Sequence, residues 1–324
     1  MTTHTLKCTP QSVHWGFYDA ALPPVLVINS GDTVIIDTVS GGPEDLPPAG
    51  IPFTLLDEHT RIIAETPRGV GPHILTGPIA VKGAEAGDVL KVEILGVSLR
   101  QNWGYNLTRQ GKGALPNMFP DPRHIHIGLD LERKTARMPW GLELPTKPFF
   151  GCMGNAPAKS QGRLTSVVPG TFGGNIDNRE LGAGATLYLP VFESGALFSV
   201  GDGHAAQGHG EVNLTAIETA LTGTFRLMIE KGSALRRPRA ETATHFISMA
   251  FDPDLDSAMQ VALADMIEFI ERHGSLLRAD AYALCSIAAD VMVTQVVNGS
   301  RGIHVSLPKT MLDRSGADRL SKTA

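Results

Sequence analysis

VLVINSGDTVIIDTVSG, residues 25–41, is the stretch whose reading decides the fold. Two runs rich in Val, Ile and Thr flank Asn29-Ser30-Gly31-Asp32. Branched side chains suit the half-buried face of a pleated strand, and Asn, Gly and Asp favour a tight turn between the runs. The segment reads as strand, turn, strand. The pattern returns in AVKGAEAGDVLKVEILGVS, residues 80–98, with Gly87-Asp88 at the matching point, and more weakly in LGAGATLYLPVFESGALFSVGDGH, residues 181–204. A small-Gly-Asp step ahead of alternating apolar residues points to repeated β units.

Outward from these units, the 35 glycines and 22 prolines are spread along the 324 residues, as in a chain of many short strands joined by turns. GGPEDLPPAGIP, residues 41–52, is a proline-rich loop of a length that often serves as a lid. Residues 100–150 hold Trp103, Trp140 and much proline, and read as irregular covering chain with one or two short strands. Helical periodicity emerges only near the end. In residues 255–273 Met259, Leu263, Met266, Ile267 and Ile270 recur at steps of three and four, with Asp254 or Asp256 as N-cap and Gly274 just past the end. Residues 279–290 predict a second, shorter helix, and VMVTQVVNG and GIHVSLPK predict strands after it. The expected fold is α+β and predominantly β. A sandwich- or barrel-like body spans 1–240, with a split into two β units near 100–150, and a C-terminal α+β element over 241–324 packs on it.

Composition narrows the function. Hydrophobic residues at 42% and charged residues at 19% are those of a globular chain with a sizeable core. A net charge of −5, with no basic run longer than RRPR at 236–239, argues against nucleic acid or an anionic membrane as partner. The opening MTTHTLKCTPQSVHWG shows no secretory or organellar pattern, and no apolar run approaches a membrane span. A cytoplasmic protein is expected, in which Cys8, Cys152 and Cys285 stay reduced.

Chemistry concentrates in GDGHAAQGHGE, residues 201–211. Glycine costs roughly 0.5 to 1 kcal/mol against alanine within regular structure, so four glycines around Asp202, His204, His209 and Glu211 need another reason. Asp202 and His204 lie two apart, one face of an extended chain, and His209 and Glu211 repeat the step. Carboxylates and imidazoles without thiols suit zinc, manganese, iron or calcium. Weaker candidates are Asn175 and Asp177 in GGNID, His73 in GVGPHILTGPI, and Glu218 in TAIE. RHIHIGLD, residues 123–130, is a competing cluster: His124, His126 and Asp130 come close to the metal signature of cupin barrels, but the glycine before the first His is missing and Asp replaces the usual Glu. Cys152 in FGCMGNAP is a further nucleophile candidate, without Glu and Lys partners at recognisable spacing.

Five segments together resemble the acetamidase/formamidase family: VHWGFYDAALPPVL, GPHILTGPIAVKGAEAGD, PFFGCMGNAPA, PGTFGGNIDNRELGAGATLYLPVFESGALFSVGDGHAAQGHGEV, and AYALCSIAADVMVTQVV. They span nearly the whole length in order. The resemblance implies a homo-oligomeric, mostly β, metal-dependent hydrolase of small aliphatic amides, holding a divalent metal, zinc foremost, with calcium or manganese as alternatives. The chain departs from the family where GDGHAAQGDGEV is usual: His209 replaces the second Asp. Asp202 and His204 are expected to hold the metal, joined by His73, Asp177 or His209. Glu211 is expected to move protons, with Glu218 in reserve. Gln207 and Asn175 would orient the amide, and glycine N–H groups would form an oxyanion pocket. A larger or cyclic amide as substrate, or a metal-binding β protein without catalysis, are the alternatives.

Overall fold

The two runs of residues 25–41 become the strands Leu26–Ile28 and Thr33–Asp37, but they do not pair with each other. Leu26–Ile28 lies parallel to Ile74–Val81 in one sheet, and Thr33–Asp37 lies between Thr3–Leu6 and Leu221–Glu230 in another. The second stretch does the same: Ile74–Val81 and Val89–Leu99 enter these same two sheets, as do Thr186–Pro190 and Phe198–His204 of the third. The units are corners between sheets rather than hairpins. Their turns explain this. Asp32 N–H donates to the Asn29 carbonyl at 3.1 Å while its carboxylate accepts the Asn29 N–H at 3.1 Å. Asp88 repeats both bonds with Glu85, at 3.1 and 2.8 Å, and Gly31 and Gly87 supply the left-handed residue at φ +93° and +94°. A turn closed by its own aspartate holds without a ladder between the runs it joins.

The computed structural model describes residues 1–232 and 235–312, so 313–324 of the expected C-terminal element lie outside the described residues. One sheet has nine strands in the order Thr3–Leu6, Thr33–Asp37, Leu221–Glu230, Val89–Leu99, Thr186–Pro190, Arg239–Glu241, His245–Asp252, Ser300–Pro308, Asp290–Asn298. Strands on both sides of residue 240 thus pair in one sheet. The second sheet runs Gly173–Asn175, Phe149–Gly154, Phe198–His204, Ile74–Val81, Val13–Trp15, with Leu26–Ile28 also on Ile74–Val81. The sheets pack face to face as a sandwich. Phe225 of the first has its ring centroid 5.5 Å from Phe150 and 6.1 Å from Phe198 of the second, in a core shared with Val34, Ile36, Val92 and Val200.

The C-terminal helices α2 (Leu255–Gly274) and α3 (Arg278–Ala288) bury Ala262, Met266, Ile270 and Cys285 against Ile303, Val305 and Leu307. Asp254 caps α2 by accepting the Ser257 N–H at 2.8 Å, and the left-handed residue past its end is Ser275 rather than Gly274. A helix the sequence reading missed, α1 (Asp57–Glu65), buries only His59 and Ile62, too short an apolar stripe to show a period.

Residues 100–150 are more regular than expected. Trp103–Thr108, Arg123–Asp130, Thr135–Arg137 and Glu143–Pro145 form a four-stranded antiparallel sheet, and Pro116, Pro120, Pro122 and Pro139 fall in its connections. This sheet meets the sandwich at Glu218, whose backbone bridges Tyr105 on one side and His204 on the other. No described helix is long and apolar enough to cross a membrane.

Candidate active site

The strand Phe198–His204 carries Asp202 and His204, and pairs with Phe149–Gly154 in the register Phe149↔His204, Phe150↔Gly203, Cys152↔Gly201. That register sets Gly151 opposite Asp202. An added Cβ at Gly151 would fall inside any allowed contact with Asp177 Oδ1 and Asp202 Oδ2, and 2.7 Å from His204 Cε1. A side chain here would occupy the space in which the functional groups converge. The Gly151 carbonyl also accepts the N–H groups of Ile176 at 2.9 Å and Asp177 at 3.2 Å, which draws the 173–177 turn over the strand. The sequence reading passed over Gly151, although a glycine inside a buried strand often marks a close approach.

The carboxylates bracket one imidazole. Asp202 Oδ1 lies 3.5 Å and Glu218 Oε1 3.2 Å from His204 Nε2, and Asp177 Oδ1 lies 3.9 Å from His204 Nδ1. Donor atoms of Asp177, His204 and Glu211 lie within 4.8 Å of one another, as do those of Asp202, His204 and Glu218, and of His73, Cys152 and Asp202. His73 Nε2 is 3.8 Å from Asp202 Oδ2, and its Nδ1 shares a hydrogen bond with Ser166 Oγ at 2.9 Å. Asn298, absent from the sequence reading, donates from Nδ2 to Asp177 Oδ2 at 2.5 Å. Asp177, Asp202 and Glu211 all sit on left-handed backbone, at φ +51°, +59° and +46°, a region uncommon for residues other than glycine. Such strain persists only where the surroundings impose it, and it gathers at functional sites.

Burial sets the electrostatics. It pushes Glu218 up to about 8, with Asp202 adding to the rise. Burial, and then Asp177, lifts Glu211 well above the carboxylate range; burial, and then Asp202, raises Asp177. Burial also acts to raise Asp202, but the His73 and His204 imidazoles outweigh it and keep Asp202 ionised. For His204, burial opposes the charge and the Glu218 and Asp202 carboxylates restore it. Four buried carboxyls cannot all ionise around one imidazolium, because uncompensated buried charge is very costly. They hold protons or share a cation. The donor set suits a divalent cation: Asp177 Oδ1, Glu211 Oε2 and both His204 ring nitrogens are buried and make no hydrogen bond within the protein.

Other expected residues are placed elsewhere. His209 is not brought to the cluster: its Nε2 is 3.4 Å from Glu180 Oε1 and its ring 5.1 Å from His304, beside a cavity of about 620 Å³ whose lining also includes Glu211. The strand ends at His204, and the left-handed backbone of Gly210 and Glu211 breaks the alternation that would have put 209 and 211 on one face. Gln207 Nε2 donates to the Asp177 carbonyl at 2.8 Å, so it holds the Asp177 turn. Asn175 lines the cavity but accepts from the Cys152 thiol at 3.0 Å and donates to the Val167 carbonyl at 3.2 Å. Of the glycine N–H groups, Gly203 donates to Ser40 Oγ and Gly210 to the Thr294 carbonyl, each at 3.0 Å. Burial, with Asp202 next, pushes the Cys152 thiol well up, against a thiolate nucleophile. His124 and His126 stack on each other at 4.7 Å, and His126 Nε2 is 3.0 Å from the Asp45 carbonyl in the 41–52 loop.

Asp177, Asp202, Glu211, Glu218 and His73 face a cavity of about 340 Å³. Ser40, Gly41 and Asp45 form part of its wall, which places the start of the 41–52 loop beside the site. The fold and the site together are those of a β-sandwich with a buried carboxylate–imidazole centre beneath a small cavity. The chain belongs to the acetamidase/formamidase family, whose model matches residues 11–163 and 160–314. It is 30% identical over 200 residues to a formamidase of Methylophilus methylotrophus, covering 46% of this chain and 49% of that one. The chain spans about half the length of the curated relatives it matches. Among solved structures it superposes on a predicted acetamidase/formamidase from Thermoanaerobacter tengcongensis with TM-score 0.84 at 28% identity, covering 97% of this chain and 98% of that one. An acetamidase from Bacillus halodurans gives TM-score 0.83 at 29% identity, covering 96% and 99%.

Proposed function

We propose that this chain hydrolyses small linear amides to a carboxylate and ammonia at the cavity floored by Asp177, Asp202, Glu211 and Glu218. The observation that carries the reading is the convergence of four buried carboxyls on His204, with Asp177 Oδ1 and Glu211 Oε2 left unpaired. The relatives named formamidase and acetamidase support an amide as substrate. Asp202 and His204, with Asp177, Glu218 and His73 in reach, would hold a divalent cation, zinc foremost. Bound there, the cation supplies Lewis acidity that polarises the amide carbonyl and makes water a better nucleophile.

The chain's own residues do the rest. An amide nitrogen leaves only when protonated, so one group must take a proton from the attacking water and return it to nitrogen as the C–N bond breaks. Glu211 fits this role better than Glu218. Its Oε2 is unpaired, whereas Glu218 Oε1 already accepts the Ala216 N–H at 3.0 Å and lies against His204. The raised carboxyl of Glu211 is the right direction for a group that must also act as an acid. Asn298, Gln207 and the Gly151 carbonyl fix Asp177. A homo-oligomer in the cytoplasm completes the reading.

The test is ammonia release from formamide, acetamide and larger amides by metal-replete wild type and Glu211→Gln. We expect the variant to lose about 10² to 10⁴ in rate with its metal content kept. Full release by the variant overturns the role of Glu211, and no release from any amide by the wild type overturns the hydrolase reading. Light scattering checks the oligomer.

A further inference from the structure

The cavity is polarised. Its floor is acidic, but its rim carries Arg68, Arg109 and Lys112. Arg68 is neutralised by Glu44 at 2.7 Å. Arg109 and Lys112 are exposed, and among the described residues their side chains form no hydrogen bond or ion pair. They are thus two rim cations without an ion-pair partner in a chain of net charge −5, with the Glu44 and Asp45 carboxyls in electrostatic reach of Arg109 alone. Neither is loosely attached. Lys112 N–H donates to the Arg109 carbonyl at 3.0 Å, and Ala114 N–H donates to the Val212 carbonyl at 2.8 Å. Gly113 lies so close to the Asn213 carbonyl that a Cβ there would sit 3.2 Å from it. The turn bearing both cations is thereby tied to the residues that directly follow Glu211.

The cavity is also large for the smallest amides. About 340 Å³ reaches the lower end of the pockets that enclose drug-sized ligands, roughly 300 to 1,000 Å³, whereas formamide and acetamide have three and four non-hydrogen atoms. Most of the space between floor and rim is left for another part of the substrate. The proposed chemistry takes the amide to the floor, which leaves the basic rim to attract an anion. A molecule that satisfies both ends has its amide at the floor and its negative charge at the rim.

We infer that the preferred substrate is an elongated amide with a carboxylate at its far end, held by Arg109 and Lys112 while the amide reaches Glu211. This rests on the amide-hydrolysis reading for the reacting end. The rim by itself selects an anionic tail, and that part is measured by binding alone.

The probes are succinamate and succinamide, which differ in one terminal group, a carboxylate against a neutral amide. Their affinities are measured by calorimetry on metal-replete Glu211→Gln protein, in which turnover is slowed, with and without Arg109→Gln and Lys112→Gln. Succinamate is expected to bind at least about tenfold more tightly in low salt, with the advantage shrinking towards 0.5 M salt, where charges at an exposed rim are screened. In the rim variants the advantage falls at least about fivefold with the melting temperature unchanged. Equal affinities, or a preference that survives the rim changes, overturn the inference; the second outcome would mean that the cation at the floor, rather than the rim, holds the carboxylate. Wild-type ammonia release separates the two readings. Neutral amides hydrolysed without charge preference leave hydrolysis standing and sink the rim. Rim-dependent binding with no release from any amide does the reverse.

Discussion

Gly151→Ala puts a single methyl group at the centre of the site. Gly151 is not among the residues with left-handed φ, so alanine meets no backbone penalty and the whole effect is contact. The new Cβ stands 2.7 Å from His204 Cε1 and closer still to Asp177 Oδ1 and Asp202 Oδ2. Carbon atoms rest about 3.5 to 4.0 Å apart, so the neighbours must retreat by about 1 Å. None can move freely: Asp177 is tied to Asn298 at 2.5 Å, His204 packs edge-on against Phe149 at 5.0 Å, and all three are buried. Overpacking of this kind costs about 1 to 3 kcal/mol, and a misplacement of about 1 Å costs on the order of 10² in rate. The expected result is substoichiometric metal by mass spectrometry, a melting temperature lower by several degrees, and amide hydrolysis reduced about a hundredfold. Gly208→Ala is the control, since a Cβ there meets nothing within 4 Å and its φ is ordinary; it should keep metal and rate. Full metal content, an unchanged melting temperature and wild-type turnover in Gly151→Ala would refute the placement of the cluster around this glycine.

A chelator that removes the proposed divalent cation should lower the melting temperature reversibly, because a ligand at a hundred times its dissociation constant stabilises by about 2.7 kcal/mol; a chelator-insensitive transition counts against a bound metal. His209→Ala should leave metal content unchanged and cost no more than about 1 kcal/mol, since the ring faces Glu180 and His304. Metal loss in that variant would place His209 at the site after all. Acid stability should depend on His14, whose burial lowers it from 6.5 to about 4. The unfolded chain then binds the extra proton between these values, so this contribution is complete above pH 6.5 and is lost as pH falls to about 4. At 1.36 kcal/mol per pH unit the loss is on the order of 3 kcal/mol. His14→Gln should flatten denaturant-measured stability across that window, and an unchanged slope argues against a buried neutral imidazole.

The alternation of branched residues around Gly31-Asp32 and Gly87-Asp88 determined that the chain would be mostly β, because side-chain period and turn chemistry are local properties. So were the α2 stripe and its Asp254 cap. The family segments and the pairing of Asp202 with His204 were legible for the same reason: two residues apart on one strand is a distance that sequence spacing sets. Where the strand stops, spacing loses its meaning. His209 and Glu211 are also two apart, yet left-handed backbone at Gly210 and Glu211 sends one to Glu180 and the other to the site. Only the tertiary structure decided that each Gly-Asp turn crosses between sheets instead of closing a hairpin. It alone brought Asn298 to Asp177 and gave Gly151 its importance, while His73, Asp177 and Glu218, already candidates in the sequence, took their places beside Asp202 and His204. A bare glycine has no side chain to announce its purpose in sequence; what it does is leave room for groups that arrive from distant segments.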